Sequence, residues 1–244
     1  MLRVVLSVLS LLLFHFAFAD EQSARRKVTE LGGKTFLAKG RVVEVVLNKS
    51  QLDDADLALL SAFPDLTDLS LENTRAGDAA MVYVAKLAKL EWLNLYRTWV
   101  GDGGVRLVSG SKSLKMLPIG ETNLTDKGVA HLSAMSQLTY LGLRGNKVTD
   151  VGMVHLPKLQ KLEGLHLGQT KVTDAGVVHL SALPGLEKLW LHDLPVSDVS
   201  LEVLIKLKNL RELHIYSTKI SPQGAMRLQA ALPKCRVFHE VFVN

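Results

Sequence analysis

The sequence predicts an α/β solenoid of eight 24-residue units, with a parallel sheet on its inner, concave face and short helices outside. The first observation behind this is a register: from Val42, the residues Leu66, Leu90, Leu114, Leu138, Leu162, Leu186 and Leu210 follow at intervals of 24 with no insertion or deletion, and the eighth unit ends at Pro233. Position four of each unit reads Val45, Leu69, Leu93, Leu117, Leu141, Leu165, Leu189, Leu213, and position six reads Leu47, Leu71, Leu95, Ile119, Leu143, Leu167, Leu191, Ile215. Positions one, eleven, sixteen, nineteen and twenty-two behave alike, with Ser111 the only polar member of the seven columns. A chain that is 48% apolar would fill such columns only half the time, so a repeat architecture is required.

The second observation is the period within a unit. Apolar positions four and six flank one variable residue, the signature of a strand about three residues long with one buried face. The third is a helix start: Thr125-Asp126, Thr149-Asp150, Thr173-Asp174 and Ser197-Asp198 place a hydroxyl at the N-cap and a carboxylate in the first turn, and Ser221-Pro222 places proline at the first helical position. Positions sixteen and nineteen then form one helical face. Parallel strands stack about 4.8 Å apart and helices about 8 to 10 Å, and that mismatch bends the stack so that the sheet lies inside. Gly104, Gly128, Gly152, Gly176 and Gly224, all at position fifteen, are expected where a Cβ would obstruct the neighbouring unit.

The segments outside the repeat follow in order. Met1 to Ala19 carries one basic residue, Arg3, then an uncharged run closing on Ala17-Phe18-Ala19, which fits a cleaved export signal over residues 1–19. The alternative is an uncleaved membrane anchor. Residues 20–41 are expected to cap the first unit: a helix over Glu21 to Leu31, a stop at Gly32-Gly33, and a hairpin of Lys34 to Ala38 and Arg41 to Leu47 about Lys39-Gly40. Residues 42–233 form the solenoid, and in 234–244 the alternation from Cys235 to Val243 suggests one or two closing strands. Pro118 cannot donate to a ladder and predicts an irregularity in unit four. Leu194-Pro195 replaces the usual Thr-Lys pair in unit seven, putting in doubt there the hydrogen bonds expected of Thr98, Thr122, Thr170 and Thr218.

Composition excludes several functions. Cys235 is the only cysteine, so no intramolecular disulfide forms, and it reads as a buried cap residue. The charge of +5, from 29 basic and 24 acidic residues, is spread along the chain and marks no nucleic-acid stripe. No phosphate-binding glycine loop, metalloprotease helix or nucleophile elbow is present, and no cofactor is implied. The acidic column from Asp54 through Asp198 invites a calcium reading, but helix-start stabilisation accounts for it, and Lys147, Lys171 and Lys219 oppose a cation. His131, His155 and His179, at position eighteen, fall on the helices as outer residues. Asn48-Lys49-Ser50 and Asn123-Leu124-Thr125 match the glycosylation acceptor pattern.

Leu-x-x-Leu-x-Leu-x-x-Thr-x-Val-Thr-Asp-x-Gly-Val-x-x-Leu, as it stands from Leu162 to Leu180, resembles a leucine-rich repeat. The Thr-Asp-x-Gly form is similar to exported bacterial repeat proteins and to the ribonuclease-inhibitor-like repeats attached to F-box proteins. The resemblance covers Val42 to Pro233 and implies a right-handed α/β horseshoe that binds protein partners through its concave face. The segment before the repeats reads as an export signal and not as an F-box, which argues against an adaptor in ubiquitin-dependent turnover. The disulfide-bonded caps of many extracellular relatives are missing too.

If positions four and six point inward, positions three, five, seven and eight line the concave face. They place Trp92, Asn94, Tyr96 and Arg97 in unit three, Tyr140 and Arg144 in unit five, and His166, Lys188, Trp190, His192, Asp193, Glu212, His214 and Tyr216 in units six to eight. Pro118, Gly120, Gly142, Gly145, Gly164 and Gly168 are expected to form a floor of small residues between the two clusters. Exposed aromatics ringed by polar groups are the makings of an interface, so Trp92, Tyr96, Arg97, Tyr140, Arg144, His166, Lys188, Trp190, His192, His214 and Tyr216 are the candidate contacts for a protein or glycan ligand. The competing readings are a solvated sheet and a metal-dependent hydrolase built on His166, His192 and His214; no carboxylate or nucleophile is arranged around those histidines by a recognisable motif. The sequence thus points to an exported, non-enzymatic binding scaffold, secreted, periplasmic or at the cell surface, with no stable membrane insertion once the signal is removed.

Overall fold

A computed structural model describes residues 20–239; the export signal read in residues 1–19 and residues 240–244 of the closing segment lie outside the described residues. Helix α1, described over 20–30, ends where Gly32 adopts φ +79° and leads into β1 (Lys34–Ala38) and β2 (Arg41–Val46), an antiparallel pair. Lys39 (φ +50°) and Gly40 (φ +78°) join them, and two successive positive φ values give the turn whose twist suits a two-residue hairpin.

From β2 onward every strand is parallel to the last. They are β3 (Asp68–Ser70), β4 (Trp92–Asn94), β5 (Met116–Pro118), β6 (Tyr140–Gly142), β7 (Gly164–His166), β8 (Lys188–Trp190), β9 (Glu212–His214) and β10 (Arg236–Phe238), and the ten strands follow chain order in one sheet. The pairing keeps the 24-residue register, Leu141 opposite Leu165, Leu165 opposite Leu189, Leu189 opposite Leu213. Residues sharing a repeat position are therefore lateral neighbours. The register also runs one strand past the expected end at Pro233, because Val237 pairs with Leu213 and Phe238 with His214.

The second layer holds α2 (Met81–Val84), α3 (Asp102–Val108), α4 (Asp126–Leu132), α5 (Asp150–Met153), α6 (Asp174–Val177), α7 (Leu201–Leu204) and α8 (Pro222–Ala231); α2 to α7 each pack on the helix or turn of the next unit, and α8 packs on α7 and β10. Tighter 3-10 turns at Asp54–Ala62, Leu156–Lys158, Val178–Ala182 and Asp198–Ser200 replace or extend them. The leucines of positions four and six are sealed between the layers, Leu69, Leu93, Leu141, Leu165, Leu189 and Leu213 all at 0% exposure. Removing that much apolar surface from water is what holds units together that could not fold singly.

Pro118 does perturb the sheet, on one side only. Without an N–H to give to β4, it leaves Trp92 opposite Met116 as the single registered pair of β4 and β5, whereas β5 and β6 keep three. At position nine, the hydroxyls of Thr98, Thr170 and Thr218 donate to the carbonyls of Leu95, Leu167 and Ile215 at 2.8, 2.7 and 2.6 Å. Leu194, which has no hydroxyl to offer, is buried with the core in their place.

The aspartate column lies where expected, with Asp102, Asp126, Asp150, Asp174 and Asp198 in the first turns of their helices. Sequence reasoning missed a second role, in which each carboxylate also reaches across to the following unit. Asp126 accepts the Thr149 N–H at 2.8 Å and its hydroxyl at 2.7 Å, Asp150 does the same for Thr173 at 2.7 and 2.7 Å, and Asp198 for Ser221 at 2.8 and 2.7 Å. The N-cap hydroxyls meanwhile accept from their own helices, as Thr149 does from the Val151 N–H. The position-fifteen glycines make room for this bridge: a Cβ on Gly152 would stand 2.5 Å from Asp126 Oδ1. Where unit seven has Ser200 instead, its hydroxyl donates to Asp174 at 2.5 Å. At Asp174, the pull of burial toward a higher pKa is outweighed by the hydrogen bonds from Ser200 and Ser197, and the pKa falls.

Candidate ligand-binding face

In the first half of the concave face most of the polar side chains find partners within the chain, Ser70 Oγ being buried without one among the described residues. Strand β4 carries Trp92, half-buried beside the exposed Met116, and Asn94, whose Nδ2 donates to Glu72 at 3.1 Å. Beyond the strand, Arg97 takes a left-handed φ of +55°, as position eight does along the whole stack. Its Nε donates to Glu121 at 2.5 Å, and the Tyr96 hydroxyl donates to the other oxygen of the same carboxylate. Arg97 foremost holds the Glu121 carboxyl below its usual range, while burial and then Glu121 push the Tyr96 phenol up. Lys115 meets Glu91 at 2.8 Å, and Arg41 meets Asp65 at 3.1 Å.

The second half is a wall of rings. At position five, His166 stacks on Trp190 (centroids 5.4 Å apart, planes at 11°), Trp190 on His214 (5.7 Å, 19°), and His214 on Phe238 (4.3 Å, 7°). At position seven, His192 stacks on Tyr216 (4.7 Å, 9°) and meets His166 edge-on at 5.0 Å. Tyr140 approaches Trp190 edge-on at 6.3 Å. Sequence reasoning missed Phe238, although it lies 24 residues after His214 and one more turn of the same register would have found it. Trp99 was missed as well; it is 61% exposed at the edge of unit three, with the Arg75 guanidinium 5.8 Å from its ring centroid.

The expected floor of small residues does not lie open, because neighbouring rings lean over it. A Cβ on Gly164 would stand 2.7 Å from the Tyr140 ring, one on Gly168 2.5 Å from His192 Nε2, and one on Gly120 3.1 Å from the Tyr96 ring. Glycine there lets a ring from an adjacent strand lie against the sheet. His192 is consequently buried at 4% exposure, so it supports the wall and does not front it. Tyr140, His166, Trp190, His214 and Tyr216 remain half-buried, Arg144 is half-buried, and Lys188 is exposed.

Hydrogen bonds fix the histidines. His192 donates Nδ1–H to Asp193 at 2.9 Å, its Nε2 lies 3.4 Å from His166 Nε2, and His214 donates Nε2–H to Glu212 at 2.6 Å. His192 foremost lowers the Asp193 pKa. Burial, then the nearby His192, Arg144 and His214, lowers His166 to about 3, so this ring stays neutral and stacks as an aromatic. Its Nδ1 is buried and has no partner among the described residues. Among the described residues no group of three His, Cys, Asp or Glu side chains converges on a metal-sized point. Burial lifts the Cys235 thiol to about 11 at the end of the stack, far from thiolate chemistry.

Comparison with known proteins fits this geometry. Residues 135–156 match the family model of a leucine-rich repeat, and no curated protein matches the chain. Among solved structures it is similar to internalin C2 of Listeria monocytogenes, with 25% identity and a TM-score of 0.65 over 82% of this chain and 80% of that one. It is also similar to an internalin, inlF, of the same organism, with 23% identity and a TM-score of 0.60 over 81% of this chain and 59% of that one. The chain is a leucine-rich repeat solenoid of α/β class. Among the described residues no helix is long and apolar enough to cross a membrane.

Proposed function

We propose that the protein is an exported, non-enzymatic leucine-rich repeat scaffold that holds a protein or glycan ligand against the second half of its concave face. Residues 1–19 act as the export signal, with 20–41 and 234–244 capping the solenoid of residues 42–233. The observation that carries this reading is the row of rings from Tyr140 to Phe238, continuous across five adjacent strands and only half covered by the chain itself. Large, stiff aromatic side chains give much contact area for little lost rotamer freedom, which is why they dominate binding hot spots. The likeness to internalin C2 supports a scaffold of this kind.

Crosslinked pull-down with the exported chain, beside a variant carrying Trp190→Ala and Tyr216→Ala, tests the site. The variant is expected to lose the partner that the parent chain recovers. Equal recovery by both would place recognition elsewhere while leaving the fold intact. Mass spectrometry tests localisation: an exported chain beginning at Asp20 is expected, and an intact Met1 on a membrane-associated protein would favour the anchored alternative.

A further inference from the structure

Position in the ring wall decides which part of each ring a ligand can meet. The stacks run across the strands, with the planes of stacked pairs at 7 to 19° to each other, so Trp190 and His214 have a ring on both faces and His166 and Phe238 on one. What remains toward the groove is the rim, the electropositive edge of an aromatic quadrupole. A sugar that stacks on ring faces finds those of Trp190 and His214 occupied.

The charges beside the wall tell the same story. On the strand and turn positions of this half, the two carboxylates are already engaged, Asp193 by His192 and by Gln169 (3.2 Å), Glu212 by His214. The cations are not. Arg144 donates Nε to the neutral Gln169 at 2.8 Å, Arg236 lies 4.6 Å over the Phe238 ring, and neither these two nor Lys188 has a carboxylate within 4.0 Å among the described residues. Arg144, at position seven, lies on one side of the position-five ring row, and Lys188 and Arg236, at position three, lie on the other. Glu163 and Glu187 line one depression with Lys188 at the strand starts, so the cations open to an acidic ligand are Arg144 and Arg236.

Resting on the concave-face reading, we infer that the ligand is an acidic, extended segment of a partner protein, laid across β6 to β10 with its end carboxylates toward Arg144 just past β6 and Arg236 on β10 and its backbone oxygens on the ring edges. Four strand spacings of about 4.8 Å make about 19 Å, which about six extended residues span. Electropositive rims and unpaired cations both ask for oxygen acceptors, so one ligand chemistry satisfies both.

The probe is a labelled hexapeptide with glutamates at both ends and phenylalanine at its centre, read by fluorescence anisotropy against the same peptide with glutamines. The glutamate peptide is expected to bind at least about tenfold tighter, with the advantage shrinking as salt rises. Arg144→Gln with Arg236→Gln should remove that advantage, and Lys115→Gln, in the first half, should leave it within about twofold. Equal binding of the two peptides, or tighter binding of a sulfated oligosaccharide, would overturn the inference. If that happens while Trp190→Ala still abolishes partner capture, the concave-face reading survives; if Trp190→Ala has no effect on capture, that reading falls too.

Discussion

The two halves of the concave face are built on the same strand positions, yet they settle their side chains differently. Between β3 and β5, carboxylates collect the donors: Glu72 takes Asn94, and Glu121 takes both Tyr96 and Arg97. Between β6 and β10, rings cover one another, Asp193 and Glu212 bind histidines, and Arg144, Lys188 and Arg236 have no acidic partner within 4.0 Å among the described residues. A second difference lies at position twelve, where Gly77 and Gly101 offer the preceding aspartate only an N–H, at 2.7 Å in each case, while Thr125, Thr149, Thr173, Ser197 and Ser221 add a hydroxyl. On a scaffold whose backbone repeats, the available surface is set by which side chains already have partners, and by that criterion the second half is the open one.

The largest expected contrast is in acid sensitivity, because only the second half buries a titratable ring among rings. The folded chain holds His166 at about 3, well below the unfolded value of about 6.5. Between those values only the unfolded chain takes up the proton, so the contribution is complete above about pH 6.5 and is lost as pH falls toward 3, by a few kcal/mol at most. His166→Phe, which keeps the stack on Trp190, should flatten that decline in urea titrations between pH 7 and pH 4. Superimposable declines for parent and variant would mean that His166 is not held neutral by burial.

Gly168→Ala should follow in size. The new Cβ would stand 2.5 Å from His192 Nε2 and 2.6 Å from Cε1, forcing the ring off Asp193 and His166 at a cost of about 1–3 kcal/mol. Adding His192→Ala should recover part of that loss, since the clash goes with the ring. If the double variant is no more stable than Gly168→Ala alone, the ring does not lie against the glycine.

How much of this was legible beforehand differs by level. The leucine columns carried the architecture, because a fixed 24-residue register admits one way of stacking identical units, and position fifteen was correctly read as a place where a Cβ would obstruct. The ring column at His166, Trp190 and His214 was legible for the same reason. Pattern alone did not reveal what the side chains lean on. The aspartates looked like helix-start residues because within one unit that is what they are beside; their carboxylates meet the next unit, and a single unit contains no sign of it. His192 looked like a surface contact because alternation fixes a face but not a χ angle, and the glycine one unit earlier, at position 168, leaves a gap into which the ring falls.

The aspartate bridges allow a direct test of the second difference between the halves. Asp150→Ala removes two bonds from Thr173, both 2.7 Å, whereas Asp78→Ala removes only the Gly101 N–H bond, also 2.7 Å. At about 1 kcal/mol net per bond, the first should cost about 2 kcal/mol and the second about 1 kcal/mol in chemical denaturation. Equal losses would show that the hydroxyl is as well satisfied by water, and the second half would then be no more firmly stapled than the first.

Tyr96→Phe should have the smallest effect. It deletes one donor to Glu121 and keeps the ring over Gly120, and Arg97, the foremost cause of the lowered Glu121 pKa, remains in place. A half-buried hydroxyl lost beside a carboxylate that still has its guanidinium should cost about 0.5–1 kcal/mol. Partner capture should not change, because Tyr96 already gives its hydroxyl to the chain's own carboxylate. If this single oxygen proved necessary for capture, the network at Glu121 would have to open when the ligand arrives, and the first half would belong to the binding surface on equal terms with the second.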